Sequence, residues 1–142
     1  ATEDVGPFAF GTASHLADCL RVTEGVLHME GAAVFAFSQT LAAQVSAFLA
    51  QHGQSVATLD LVVFHQASRV VLDGLRRQLD IPDAKMVVAL EDTGNTVAAS
   101  IPLALAAAVR AGRLRPGMRV VVVSFGVGLA WAMGLVRWRG LW

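Results

Sequence analysis

The stretch Leu61-Val62-Val63-Phe64-His65-Gln66-Ala67-Ser68 decides the fold. Four apolar residues in a row, with no alternation, predict a short strand buried on both faces, as in a parallel sheet covered by helices on either side. The run stops abruptly at an imidazole and a carboxamide. Ser68 then stands at an N-cap position, ahead of Val71, Leu72, Leu75 and Leu79 at helical spacing, and Pro82 closes that helix. A buried strand leading through a polar turn into an amphipathic helix is the building unit of an α/β domain.

The pattern repeats outward in both directions. Upstream, Val34, Phe37, Leu41, Val45, Phe48 and Leu49 recur at three- and four-residue steps from Gly31, and Gly53 suits the stop of that helix. Residues 7–30 show no clear period and predict strand fragments and loops. Downstream, Met86 to Leu90 predicts another buried strand, and Glu91-Asp92-Thr93-Gly94-Asn95-Thr96 a loop. An Ala-rich helix over 97–111 is apolar on nearly every face and is expected to be buried all round. Pro102 falls in its first turns, where a missing N–H costs least. Met118 to Phe125 and Leu129 to Trp138 predict a hairpin around Gly126-Val127-Gly128. Together these elements predict an α/β domain with a mostly parallel sheet and a last antiparallel strand.

Composition bounds what such a domain can do. The 142 residues fit one domain and are 55% hydrophobic, an excess that a soluble chain hides against a partner, a second domain or a second copy. Eleven basic and eleven acidic residues balance to zero, so charge makes no case for nucleic acid or an anionic membrane surface. Apolar runs are broken before the ~18 residues of a bilayer crossing, so no membrane span is expected. Cys19 is the only cysteine, which excludes an internal disulfide and suits a reducing compartment such as the cytoplasm. The acidic start, Ala1 to Asp4, has no apolar signal region and no initiator Met, so the chain is expected to begin inside a longer parent.

Ligands of open α/β sheets bind beyond the carboxyl ends of the strands. His65 follows the first predicted strand, Asn95 lies in the loop after the second, and Gly126-Val127-Gly128 follows the third. Parallel strands would open all three loops on one edge. The steps from His65 to Asn95 and from Asn95 to Phe125 are thirty residues each, the size of successive strand-plus-helix units. An imidazole, a carboxamide and a run of backbone N–H groups can all donate to a developing oxyanion. Such a set suits chemistry at a carbonyl better than hydride or phosphoryl transfer.

Three segments then carry a specific likeness: Phe64-His65-Gln66-Ala67, Asp92 through Pro102, and Ser124-Phe125-Gly126-Val127-Gly128-Leu129-Ala130-Trp131. In order and spacing they resemble the C-terminal half of ketoacyl-ACP synthase III, of the thiolase-like condensing enzymes. The likeness runs from about Met29 to Trp138. It implies one thiolase-like domain over 1–142, with a mixed, mostly parallel five-stranded sheet, helices on both faces and a last antiparallel strand. This would be half of a five-layered body whose other, N-terminal half carries a nucleophilic Cys and is absent here. It implies that His65 and Asn95 hold the thioester carbonyl of a malonyl group and stabilise the enolate formed as carbon dioxide leaves. The Gly126-Val127-Gly128 backbone would form the oxyanion hole of acyl transfer. Met29, Gly31, Phe35, Ala67, Ser68 and Phe125 would line the pantetheine and acyl channel. The implied partners are the N-terminal half, acyl carrier protein or CoA thioesters, and a second copy in a homodimer of the full-length protein. No cofactor is implied beyond substrates carried on CoA or on carrier-protein phosphopantetheine.

Each residue also has a plainer reading. His65 alone could be a packed or capping residue, Asn95 a turn residue, and the Gly pair a tight hairpin. Cys19 sits in irregular sequence with nothing to lower its pKa and is expected to be a passive thiol. His15, His28 and His52 show no metal-ligand spacing, and no metal is expected. Glu91 and Asp92 are expected to be solvated, and the three Trp to serve edge packing or an interface. Two positions depart from the family pattern: Ser68 stands where Asn is common, and Val127 takes the middle of what is often three Gly. Two alternatives to condensation stay open at this point. One is acyl transfer to a hydroxyl or amine; the other is a non-catalytic subunit that completes a partner's site.

Overall fold

A computed structural model describes residues 4–140; the readings made on Ala1–Glu3 and on Trp142 lie outside them. The elements are β1 (Val5–Thr12), β2 (Leu20–Thr23), β3 (Val26–Met29), α1 (Gly31–Gln51), β4 (Leu61–Phe64), α2 (Arg69–Gln78), α3 (Leu90–Thr93), α4 (Ser100–Arg110), β5 (Arg119–Gly126) and β6 (Ala130–Arg137). Short 3-10 turns over Ser14–Cys19, Val56–Thr58 and Val97–Ala99 join them.

Every residue of β4 is buried, and its side chains divide between two cores. Val62 and Phe64 join Val121, Val123 and Phe125 under α1 and α2. Leu61 and Val63 join Val120, Ala104 and Ala108 under α4. The period of two along the strands therefore makes a sandwich of helices, sheet and helix from one apolar run. Helix α1 brings Phe37, Leu41, Val45, Phe48 and Leu49 to the first core, and α2 brings Val71, Leu72 and Leu75. Each fully buried side chain of this kind contributes roughly 1.5–3 kcal/mol.

The sheet differs from the expected five, mostly parallel strands. It has four strands in the order β1-β6-β5-β4, and only β4 and β5 are parallel. β5 and β6 are antiparallel, as the hairpin reading requires, and β1 adds a second antiparallel pairing at the far edge. The predicted strand Met86–Leu90 is reduced to one parallel bridge, Val62 to Met86. Side chains satisfy the backbone there instead. Arg113 donates to the carbonyls of Ala84 and Met86, and Gln66 donates to Val87 O and accepts from Ala89 N. A backbone whose polar groups are met by side chains has no need of a ladder. The chain then makes a single helical turn, α3, where a loop was predicted.

β1 was not legible as one strand because Gly6, Pro7 and Gly11 interrupt its pattern. Its register explains two of the glycines: Gly11 faces Trp131 and Gly134 faces Phe8. A Cβ on Gly11 would stand 2.8 Å from the Trp131 ring, and one on Gly134 would stand 2.6 Å from the Phe8 ring. Each aromatic lies over the bare backbone opposite it, and Pro7 is tolerated because the strand is an edge. Trp131 is therefore used in edge packing, as expected.

Two further expectations need correction. Helix α1, at 21 residues, is long and apolar enough by length and composition to cross a bilayer. Its stripe joins the core, however, and mid-helix Gln39 donates to Val71 O and accepts from Gln78, so it is tied to α2. The Ala-rich helix is not buried all round: only Ser100, Ala104 and Ala108 are buried, while Pro102 and Leu103 are exposed. One sheet can cover only one side of a helix.

Candidate active site

β4 and β5 are parallel and the Met86 bridge runs the same way, so the loops after all three open on one edge. His65 leaves the end of β4 with its backbone N–H still bonded to Val123 O at 2.7 Å. Its ring is 9% exposed and meets the Phe125 ring edge-on, centroids 5.3 Å apart. Its Nδ1 lies 2.6 Å from the Ser100 hydroxyl at the start of α4. Burial lowers the imidazole pKa below its ordinary 6.5, so the ring is neutral at pH 7. The positive end of the α4 dipole acts in the same direction.

Asn95 sits in the exposed turn between Gly94, at φ +64°, and Val97, at φ +52°. The Asn95 Oδ1 accepts the Val97 N–H at 2.9 Å. That turn feeds Val97–Ala99 and then Ser100, so the loop of Asn95 is anchored to His65 through the serine hydroxyl. Beside it, the Thr96 hydroxyl oxygen is buried without a partner among the described residues.

Both side chains share one feature. Asn95 has its oxygen engaged, which leaves the Nδ2 amino group as the free end. The Nδ1 of His65 is engaged, which leaves Nε2. Neither contacts the other through a hydrogen bond among the described residues. The third loop supplies backbone: the N–H groups of Val127 and Gly128 donate to no other group among the described residues. The Val127 side chain is 65% exposed and takes no part in packing.

The residues assigned to a substrate channel fall into two groups. Phe125 is buried against His65, and Ala67 is half-buried, its N–H donating to His65 O at 2.9 Å. Met29, Gly31 and Phe35 surround the exposed start of α1, with open space above Gly31. Ser68 is exposed and caps α2 by accepting the Val71 N–H at 3.4 Å. Its hydroxyl is thus partly committed to the helix.

Sequence reasoning passed over Gln66 and Ser100, although both lie inside the quoted segments. Gln66 is 2% exposed and laces the end of β4 to residues 87–89. Ser100 is 2% exposed and reaches His65. A polar residue inside an otherwise apolar helix was the available signal.

The remaining candidates lie elsewhere. The Cys19 thiol is pushed up by burial and by the Glu30 carboxylate, 3.8 Å away, so it is not an activated nucleophile. Glu91 pairs with Arg69 at 2.8 Å in solvent. His52 packs its ring on Phe48. No three His, Cys, Asp or Glu side chains gather as metal ligands among the described residues. A cavity of about 410 Å³ lined by Ser55, Leu79, Pro82 and Lys85 opens at the opposite edge of the sheet and shares no residue with the His65 cluster.

Residues 49–138 match the family described as 3-oxoacyl-[acyl-carrier-protein (ACP)] synthase III C terminal. A beta-ketoacyl-[acyl-carrier-protein] synthase III from Paramagnetospirillum magneticum is 44% identical over 116 residues, 81% of this chain and 36% of that protein. A crystal structure of a 3-oxoacyl-(acyl-carrier-protein) synthase III superposes with a TM-score of 0.91 at 34% identity, covering 97% of this chain and 49% of that one. The corresponding enzyme of Pseudomonas aeruginosa PAO1 superposes with a TM-score of 0.87 at 37% identity, covering 95% and 44%. The chain thus spans a little over a third of the curated relative's length and about half of the solved chains.

Proposed function

This chain belongs to the 3-oxoacyl-[acyl-carrier-protein] synthase III family, in its C-terminal part, and on that premise we propose that it is the carbonyl-activating half of a cytoplasmic decarboxylative condensing enzyme. The second substrate in this reading is a malonyl group held as a thioester on acyl carrier protein. The bond to its carboxylate breaks, carbon dioxide leaves, and the electron pair moves onto the thioester as an enolate. His65 Nε2–H and Asn95 Nδ2–H donate to the enolate oxygen. The enolate carbon then attacks an acyl group on the cysteine of an N-terminal half. The new carbon–carbon bond forms, the oxyanion is received by backbone N–H groups around Gly126-Val127-Gly128, and its collapse expels the cysteine thiolate.

One observation carries this reading: His65 Nδ1 is engaged by Ser100 and Asn95 Oδ1 by the Val97 N–H, so the ends left to face a substrate are Nε2 and the Nδ2 amino group. Preorganised donors of this kind are worth roughly 3 kcal/mol each to a developing oxyanion. The nucleophile must come from elsewhere, because Cys19 is the one thiol and its pKa is raised. The exposed apolar side chains at Met29, Phe35, Val97 and Leu103 support a second half packed on this one, with the acyl channel between them.

The test is the complete enzyme with His65→Ala. Carbon dioxide release from the malonyl thioester should fall by about a hundredfold or more, far beyond any loss in acyl loading of the cysteine seen by mass spectrometry. Undiminished release would sink the reading. Ser68 favours a second reading, acyl transfer to a hydroxyl or amine, because a capping hydroxyl offers a pantetheine chain less than a free carboxamide does. Acylation of such an acceptor without carbon dioxide release would select it.

A further inference from the structure

We propose that Ser100 is the positioning residue that holds His65 as the Nε2–H tautomer, a role that rests on the reading of His65 as an oxyanion donor. The hydrogen-bond inventory around Ser100 admits one arrangement. Its hydroxyl oxygen accepts the Gln66 N–H at 3.3 Å and lies 2.6 Å from His65 Nδ1. That oxygen makes no other hydrogen bond among the described residues, and Ser100 is 2% exposed, closed to bulk solvent. If Nδ1 carried the proton, the oxygen would take two donors and its own hydrogen would be buried with no acceptor. If Nδ1 accepts, every group is satisfied, and the imidazole proton sits on Nε2. Leaving a buried hydroxyl without an acceptor sets a tautomer preference of roughly fivefold or more.

The geometry also joins the site's two loops. Gln66 N–H belongs to the loop after β4, while Ser100 ends the segment that begins at Asn95. One hydroxyl therefore fixes the proton on the imidazole and the distance between the two donor-bearing loops.

The experiment follows the His65 ring nitrogens by long-range proton–nitrogen correlation in the complete enzyme at pH 7.5. The expected result is an unprotonated Nδ1 and a protonated Nε2. A protonated Nδ1 in the unmodified enzyme overturns the proposal without any variant. In Ser100→Ala the nitrogen signals should shift toward a tautomer mixture, and malonyl decarboxylation should drop roughly tenfold to a hundredfold, the scale on which groups orienting a functional imidazole act. Ser100→Thr, which restores a hydroxyl, should recover the wild-type nitrogen pattern and most of the rate. A Ser100→Ala enzyme with an unchanged tautomer and rate refutes the serine's role while leaving His65→Ala to judge the functional reading separately. Full decarboxylation in His65→Ala refutes that reading whatever Ser100 does.

Discussion

Helices α2 and α4 flank the same sheet on opposite faces, and they are finished differently. α2 buries Val71, Leu72 and Leu75 and turns Arg69, Arg77 and Gln78 to solvent, with Val70, 64% exposed, the one large apolar side chain on its outer side. α4 buries Ala104 and Ala108 and leaves Pro102 and Leu103 exposed, with Val97 before it 73% exposed. The serines at their starts differ too. Ser68 spends its hydroxyl on capping its own helix, whereas Ser100 leaves α4 without a side-chain cap and reaches His65. A helix that closes a domain and a helix that carries a site into a larger body can share one sheet. The uncovered face and the diverted hydroxyl distinguish them.

The contrast can be broken at several points. Leu72→Ala should destabilise the chain by about 2–5 kcal/mol, because Leu72 is fully buried under a closed helix. Leu103→Ala on the open helix should cost under about 0.5 kcal/mol. Equal shifts in the urea midpoint would mean that α4 is as enclosed as α2. Ser100→Ala should cost roughly 1–3 kcal/mol, since it strands the Gln66 N–H and His65 Nδ1 in the interior. Ser68→Ala should cost about 1 kcal/mol, the value of an exposed cap. Reversal of that order would make Ser100 the ordinary helix-starting residue.

Acidification should weaken the fold through His65. The His65 pKa lies below 6.5, so the unfolded chain binds that proton more tightly than the folded one. Stability should be flat above pH 6.5 and fall as the pH drops from there toward the folded value. His65→Gln should remove that slope, and a slope that survives the substitution belongs to another group. The smallest effect on folding is expected from Leu103→Glu, within about 0.5 kcal/mol. The same change should nonetheless reduce self-association of the isolated chain, which light scattering reads directly. The unmodified chain alone is expected to associate through this face and to show no condensing activity. A stable monomer that ignores a hydrophobic dye would show that the open face needs no cover.

Legibility followed the type of interaction that decides each element. α1, β4, α2 and the β5–β6 hairpin were readable because their apolar residues carry a clear period or run, and hydrophobic patterning is local in the chain. β1 was hidden by Gly6, Pro7 and Gly11, whose reasons lie across the sheet in Trp131 and the edge position. Met86 to Leu90 looked like a strand because its run is apolar, yet Arg113 and Gln66 take over its hydrogen bonds. No local pattern foretells which distant side chain will satisfy a backbone carbonyl.

The site divides in the same way. Residue order along the chain was enough to say which residue types stand at which loops: His65 after β4, Asn95 in a turn, and the Gly126-Val127-Gly128 backbone after β5. Strand length and turn chemistry set those places, and both are written along the chain. Which atom is free was settled locally for Asn95 and by the assembled fold for His65. The Asn95 amide is oriented by a neighbour two residues away, but the His65 ring is oriented by Ser100, 35 residues on. A proton's place on an imidazole depends on what its other nitrogen meets, and that meeting exists only after the sheet has brought α4 against the end of β4.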